Sequence, residues 1–110
     1  MLSKNLLTPA QTGAALLDKK FPDWAKKIDV RYLNMASAVN CVLGQLYGTS
    51  ENGCAELGGD NPRDFLFAHG FMATPIGGLE RNLEALKADW CACIERRVPS
   101  LNKKIEAFAF

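Results

Sequence analysis

The chain has 110 residues, a length that allows one domain with a single hydrophobic core of modest size. Its residues are 48% hydrophobic and 23% charged, ordinary proportions for a globular protein, and they argue against wholesale disorder. The formal net charge of +1 provides no bulk attraction to nucleic acid or to an anionic membrane.

The N-terminal residues, MLSKNLLTPA, show neither a sustained apolar stretch nor the cleavage pattern of a secretory signal. No apolar run approaches the roughly 20 residues that a helix needs to cross a bilayer. We therefore expect a cytoplasmic protein with no membrane partner. In that compartment the cysteines are expected to be reduced thiols: Cys41, Cys54, Cys91 and Cys93.

The first predicted helix begins at residues 8–11, TPAQ. Thr8 is a suitable cap, Pro9 suits the first helical position, and Gln11 completes a capping box. Apolar residues continue at helical spacing for about three turns. Pro22 then ends the helix, because the residue before a proline is pushed away from helical angles.

Two further helices are predicted in the first half of the chain. A short one is expected in residues 22–28, where two large apolar side chains are four residues apart. A central helix is placed at about residues 37–47, with Gly48 as a left-handed stop. Gly44 lies inside it, which predicts that a neighbouring helix crosses closely there. Its apolar face consists of Val39, Val42, Leu43 and Leu46.

Residues 49–62 form the stretch predicted to be loosest, because its Asn-Gly and Gly-Gly pairs favour turns. Within it, CAEL is compatible with a single helical turn. A short helix follows, capped by Asn61, starting at Pro62 and stopped by Gly70. Residues 71–78 are expected to be a loop.

The last long helix has the clearest periodicity. Its apolar residues are Leu79, Leu83, Leu86, Trp90 and Cys93. Pro99 ends it, and the tail over residues 101–110 favours a helix, although part of it alternates like a strand. Together the elements predict a compact all-α domain over residues 1–110, with five to six short helices packed non-parallel. The predicted structural core comprises Val39, Val42, Leu43, Leu46, Leu83, Leu86 and Trp90.

The cysteines and the single histidine are the candidates for metal binding or catalysis. Cys91 and Cys93 form the only close pair, but residues two apart on a helix point about 200° from one another, away from a shared metal. Cys41, Cys54 and His69 would need tertiary contacts that no local motif predicts. Buried thiols and a structural histidine are therefore favoured, with no catalytic residue, metal or cofactor.

Pairs of basic residues offer a possible phosphate-contacting face. They are Lys19, Lys20, Lys26, Lys27, Arg96, Arg97, Lys103 and Lys104. Acidic residues interrupt every pair, and no helix is rich in base-reading side chains, so a solvated surface is the favoured interpretation. A small nucleic-acid-binding regulator is the alternative function.

Large apolar side chains outside the central helix are candidates for partner binding. They are Trp24, Phe71, Met72, Phe108 and Phe110. Most are expected in the core, and any that are exposed together would mark an interface. Self-association into a homo-oligomer is a variant of the same hypothesis.

The motif NCVLGQLYG, residues 40–48, resembles one found in small uncharacterised proteins of actinobacteria and their phages. Residues 13–29, GAALLDKKFPDWAKKID, and the pair at residues 70–71 are also similar to that group. The resemblance implies a phage or prophage accessory protein, which would act in the cytoplasm of the host cell. We therefore expect it to bind a host or phage protein and to have no catalytic activity.

Overall fold

The computed structural model describes residues 7–58 and 62–98, and all regular secondary structure within these ranges is helical. Six helices are present there: α1 (Pro9–Lys20), α2 (Trp24–Lys27), α3 (Val42–Tyr47), α4 (Ser50–Leu57), α5 (Pro62–Ala68) and α6 (Leu79–Arg97). The predicted all-α single domain is confirmed. The predicted tail helix, with Phe108, Phe110, Lys103 and Lys104, lies outside the described residues.

Helix α1 begins as its sequence predicts. The Thr8 hydroxyl accepts a hydrogen bond from the backbone N–H of Gln11 at 3.1 Å, and the Gln11 side-chain oxygen accepts one from the Thr8 N–H at 3.0 Å. This reciprocal pair satisfies two backbone donors that the first helical turn leaves unpaired. The helix ends at Lys20, just ahead of Pro22, as expected.

A stripe of small residues lets α1 pack directly on the backbone that follows α5. Ala10, Gly13 and Ala14 are buried on one face of α1. A Cβ atom on Gly13 would overlap the backbone oxygen of His69 and lie 3.0 Å from the Trp90 ring. The hydrogen side chain of this glycine is therefore what permits the close approach.

The central helix α3 starts five residues later than predicted. The Ser37 side chain holds the preceding residues in a turn, and the Cys41 side chain caps the helix itself. The Ser37 hydroxyl accepts hydrogen bonds from the N–H groups of Val39 and Asn40, at 3.2 and 3.0 Å, and holds residues 37–40 as a turn. The Cys41 sulfur then accepts one from the Gly44 N–H at 3.3 Å, as the N-cap of α3. The predicted core position Val39 is wrong, since that turn leaves its side chain 54% exposed.

The predictions for the two glycines of the central segment, Gly48 and Gly44, have different outcomes. Gly48 has φ 96°, which confirms the predicted positive-φ stop. Gly44 is covered by the backbone of Ala38 and Val39, where a Cβ would overlap the Ala38 oxygen. The predicted neighbouring helix at Gly44 is wrong, because the preceding turn folds back over α3 instead.

Helix α4 occupies most of the stretch predicted to be loosest. The Thr49 hydroxyl accepts a hydrogen bond from the Asn52 N–H at 3.1 Å and so caps the helix. Gly53 is buried in α4, with the Leu43 and Tyr47 side chains close to where its Cβ would be. Tertiary packing of α4 against α3 therefore overrides the turn preference of the Asn-Gly pair.

The core is centred on two tryptophans. Trp90 of α6 is fully buried, and its indole N–H donates a 2.6 Å hydrogen bond to the backbone oxygen of Gly70. Its ring meets Trp24 edge-on with centroids 5.6 Å apart and stacks against Phe71 at 5.4 Å. Such offset aromatic contacts add to the energy of burial alone.

The remaining core predictions are tested by burial. Val42, Leu43 and Trp90 are buried, which confirms them. Leu46, Leu83 and Leu86 are partly buried and pack against the same cluster, so they contribute to the core as predicted but lie at its edge. The predicted core is therefore right at every position except the exposed valine in the turn before α3.

Candidate functional site

The described residues include an apolar groove of about 540 Å³. It lies between the N-terminal end of α1, the last turn of α5, the loop over residues 71–78, and α6. We call it the α1–α6 groove. Its walls are Thr8, Pro9, Phe67, Met72, Ala73, Thr74, Asn82, Ala85, Leu86 and Asp89.

One face of α6 forms the long wall of the groove. Asn82, Ala85, Leu86 and Asp89 follow the i, i+3, i+4, i+7 spacing that places side chains on one helical face. Asp89 is the one charged residue among the lining side chains and lies toward the C-terminal end of this wall. The middle of this wall thus consists of the apolar side chains of Ala85 and Leu86, and its C-terminal end carries the negative charge of Asp89.

The loop beside the groove is held in place by Asn82. Its side-chain amide donates to the backbone oxygens of Thr74 and Ile76, at 2.6 and 2.9 Å. The Thr74 hydroxyl accepts from the Ile76 N–H at 3.3 Å, and the Gly78 N–H donates to the Pro75 oxygen at 3.1 Å. These bonds fix the backbone of the loop, so its side chains are presented in a defined orientation.

Three apolar side chains within eight residues of sequence, on this loop and at the start of α6, are exposed. Ile76 is 82% exposed, Leu79 is 47% exposed and Met72 is 38% exposed. A second groove of about 310 Å³ shares Met72 with the first and includes Leu79. We call these three residues the apolar rim, and Met72 is the residue that the rim shares with the α1–α6 groove.

Among the described residues that were predicted to bind a partner, Met72 alone belongs to the groove and its rim. Met72 lies in the groove wall, as required. Trp24 and Phe71 are 1% and 3% exposed, so their assignment to partner binding is wrong. They are buried because both rings pack against Trp90. Phe108 and Phe110 lie outside the described residues.

Sequence reasoning missed the residues that shape the site. Ile76 sits between Pro75 and a Gly-Gly pair, a turn signal that marks an exposed loop tip and could have indicated it. Asn82 gave no such signal, because its role depends on a loop folding back onto the helix that follows it.

The three predicted basic pairs within the described residues lie at the C-terminal ends of their helices. Lys19, Lys20, Lys26, Lys27 and Arg96 are exposed. Cations there interact favourably with the helix dipole, which gives them a structural role that needs no ligand.

Arg97 differs from the other predicted basic residues, because it is committed to a neighbour. Its guanidinium donates two hydrogen bonds to the Asp18 carboxylate, at 2.9 and 2.8 Å, and a third to the Cys93 backbone oxygen. The Trp24 indole N–H donates to the same carboxylate at 2.9 Å, and the guanidinium lies 5.5 Å from the Trp24 ring centroid. This cluster joins the ends of α1, α2 and α6 and leaves Arg97 engaged within the fold.

We expect Asp18→Asn to reduce the free energy of unfolding at pH 7 by about 0.5–1 kcal/mol, a small value because the ion pair is partly exposed. Hydrogen bonding to Arg97 holds the pKa of Asp18 below its ordinary value of about 3.9. The folded state therefore binds the proton more weakly than the unfolded state, and this contribution is present above about pH 4–5 and lost as pH falls through the folded pKa.

Urea unfolding of both proteins between pH 7 and pH 2 measures the effect as a difference that shrinks on acidification. Asp23→Asn is the matched control, since the Asp23 carboxylate is exposed and its distance to the Lys26 ammonium is as long as 3.9 Å. An Asp18→Asn deficit that stays constant down to pH 2 would contradict the assigned ion pair.

The histidine and cysteines occupy structural positions. The His69 Nδ1 donates to the Phe65 backbone oxygen at 2.9 Å, and its ring lies against Phe65 with centroids 4.3 Å apart. Burial raises the pKa of the Cys41, Cys91 and Cys93 thiols, which disfavours the reactive thiolate. Within residues 7–58 and 62–98, no three His, Cys, Asp or Glu side chains are grouped to hold a metal ion.

Neither a protein-family model, nor a curated protein, nor a solved structure matches this chain. The resemblance to small actinobacterial and phage proteins therefore stays a prediction. Among the described residues, no helix is both long and apolar enough to span a bilayer.

Proposed function

We propose that this chain is a small accessory protein of phage or prophage type that acts by binding another protein. The observation that carries the proposal is the α1–α6 groove bordered by the exposed apolar rim of Met72, Ile76 and Leu79. Contiguous exposed apolar surface is costly to leave in water, and in soluble proteins it marks interaction sites.

The geometry of this surface favours a macromolecular partner over a metabolite. The groove is open to solvent along α6, whereas small-molecule sites enclose most of the surface of their ligand. An apolar anchor such as Ile76, if fully buried by a partner, would contribute about 1.5–3 kcal/mol. Hydrogen bonds from Asn82 to the Thr74 and Ile76 backbone oxygens already order this part of the loop, so its backbone loses little conformational entropy on binding, which favours affinity.

Other features of the chain support a binding role over catalysis. The single histidine is engaged with a backbone carbonyl, and three thiols have pKa values raised by burial. The resemblance of residues 40–48 to small actinobacterial and phage proteins supports the phage-type assignment. The nucleic-acid alternative has weaker support, because Arg97 is committed to Asp18 and each basic pair has acidic neighbours.

A photo-crosslinking residue in place of Ile76 tests the proposed function. We expect irradiation in an actinobacterial lysate to give a discrete crosslinked adduct, whose mass identifies either another protein or a second copy. Ala85→Trp, which fills the groove at an exposed helical position, should abolish that adduct.

The same crosslinker at Glu56 is the control, because this exposed position lies on α4 and not among the groove residues. Adducts of equal yield at positions 76 and 56 would reject the groove as a binding site. Persistence of the position-76 adduct in Ala85→Trp would reject it as well.

A further inference from the structure

A stripe of α6 at the edge of the groove, with which it shares Ala85 and Asp89, has the residue spacing and the small side chains needed for a second helix to approach. Arg81, Ala85 and Asp89 are four residues apart and so follow one another along the same side of the helix. Ala85 is exposed, as are Ala88 and Ala92 nearby. These three alanines leave room for close contact between helix backbones.

The charges on this stripe are unpaired within the helix and symmetric about its middle. Arg81 and Asp89 are separated by roughly 12 Å along the helix axis, which is too far for an ion pair between them. Neither joins an ion pair with any other residue in the described parts of the chain. Each lies four residues from Ala85, on opposite sides of it.

An antiparallel pair of α6 helices makes these charges complementary. With a two-fold axis through Ala85, Arg81 of one copy lies opposite Asp89 of the other, and the pairing occurs twice. A two-fold interface uses the same patch on both subunits, and a stripe with a cation and an anion equidistant from its centre meets that requirement.

The apolar rim is positioned to enter the groove of the second copy. The loop that carries Ile76 has no charged residue, and its Gly78 lies close to Arg81, since a Cβ on that glycine would be 3.9 Å from the Arg81 Cβ. The loop and Arg81 therefore approach a partner together. In the antiparallel arrangement they reach the end of the partner groove where Asp89 lies.

We infer, resting on the proposed function, that the partner at this face is a second copy of the chain. The two copies form a two-fold symmetric dimer in which antiparallel α6 helices meet at Ala85. Ile76 of each copy fills the groove of the other, and two Arg81–Asp89 pairs fix the register.

Charge-reversal variants test this pairing by sedimentation equilibrium of the full chain. The wild-type protein is expected to dimerise, and Arg81→Glu and Asp89→Arg should each raise the dimer Kd about tenfold or more, because each places two like-charge pairs in the interface. An equimolar mixture of the two variants should restore the dimer as a heterodimer, since both of its pairs are again complementary. Ile76→Asp should weaken the dimer about thirtyfold or more.

Lys87→Glu is the matched control, with the same charge change at an exposed position on another side of α6, and it should leave the Kd unchanged. A wild-type chain that stays monomeric at millimolar concentration would overturn the inference. So would a mixture in which two dissociated variants fail to recover a heterodimer, or a dimer that is insensitive to both charge reversals. If the chain is monomeric but Ile76 crosslinks to another protein, the proposed function stands and only the second copy is rejected.

Discussion

Trp90→Ala is expected to lower the free energy of unfolding by about 3–5 kcal/mol, the largest loss from truncating any single side chain in this fold. The ring is completely buried and touches Trp24 and Phe71, so its removal leaves a cavity at the centre of the core. The Gly70 carbonyl also loses its hydrogen bond from the indole. Because a small domain has only about 5–15 kcal/mol of stability, much of the variant population should be unfolded under mild denaturant.

Two further variants separate packing from hydrogen bonding at this position. Trp90→Phe keeps an aromatic ring but leaves the Gly70 carbonyl without its donor, and we expect it to cost about 1–3 kcal/mol. Tyr32→Ala is the control, since Tyr32 is 63% exposed and its removal should change stability by less than about 0.5 kcal/mol. Urea unfolding followed by circular dichroism measures all three, and equal losses for Trp90→Ala and Tyr32→Ala would contradict this description of the core.

Local signals in the sequence were sufficient to predict the ends of helices where a single residue or a short motif determines them. The capping box of α1 is made entirely within residues 8–11, and the positive φ of Gly48 reflects a preference of glycine itself. The apolar periodicity of α6 persists for about four turns, long enough to predict both the helix and the burial of Trp90.

Prediction failed where the sequence is compatible with two competing local structures. Residues 37–40 have helix-compatible spacing, but the Ser37 hydroxyl bonds two backbone N–H groups and keeps them in a turn. Residues 50–57 contain an Asn-Gly turn signal, but packing of Gly53 against Leu43 and Tyr47 favours helix. In the first case a local side-chain hydrogen bond selects the turn, and in the second a contact between helices selects the helix.

The candidate site was less predictable than the fold because it is made from parts distant in sequence. Met72 was identified from its size alone, whereas the groove requires the N-terminal end of α1 to lie beside the middle of α6. That arrangement depends on Gly13 and Gly70, through which α1 contacts the backbone after α5. The loop over residues 71–78 continues from that backbone, so packing of α1 also positions the apolar rim.

Gly13→Ala is therefore expected to affect both stability and binding. Overpacking typically costs 1–3 kcal/mol, and here the obstructing atom is the His69 backbone oxygen, which cannot rotate away as a side chain would. Contact with a fixed backbone atom places the cost near the upper end of that range, so after a gain of up to about 1 kcal/mol in helix propensity we expect a net loss of about 2 kcal/mol. The backbone at residues 69–70 must move away from α1, and this shifts the loop that presents Ile76.

Gly53→Ala is the matched comparison, because the three atoms nearest its new methyl group belong to the Leu43 and Tyr47 side chains, at 2.8–3.0 Å, and not to backbone. Rearrangement of those side chains and the same gain in helix propensity should limit its loss to about 1 kcal/mol. Urea unfolding gives both free energies, and the yield of the Ile76 crosslink measures the effect on the rim. Gly13→Ala should reduce that yield, whereas Gly53→Ala should preserve it. A Gly13→Ala protein with unchanged stability and an undiminished crosslink would show that α1 does not position the loop, because the close contact with residues 69–70 would then be dispensable.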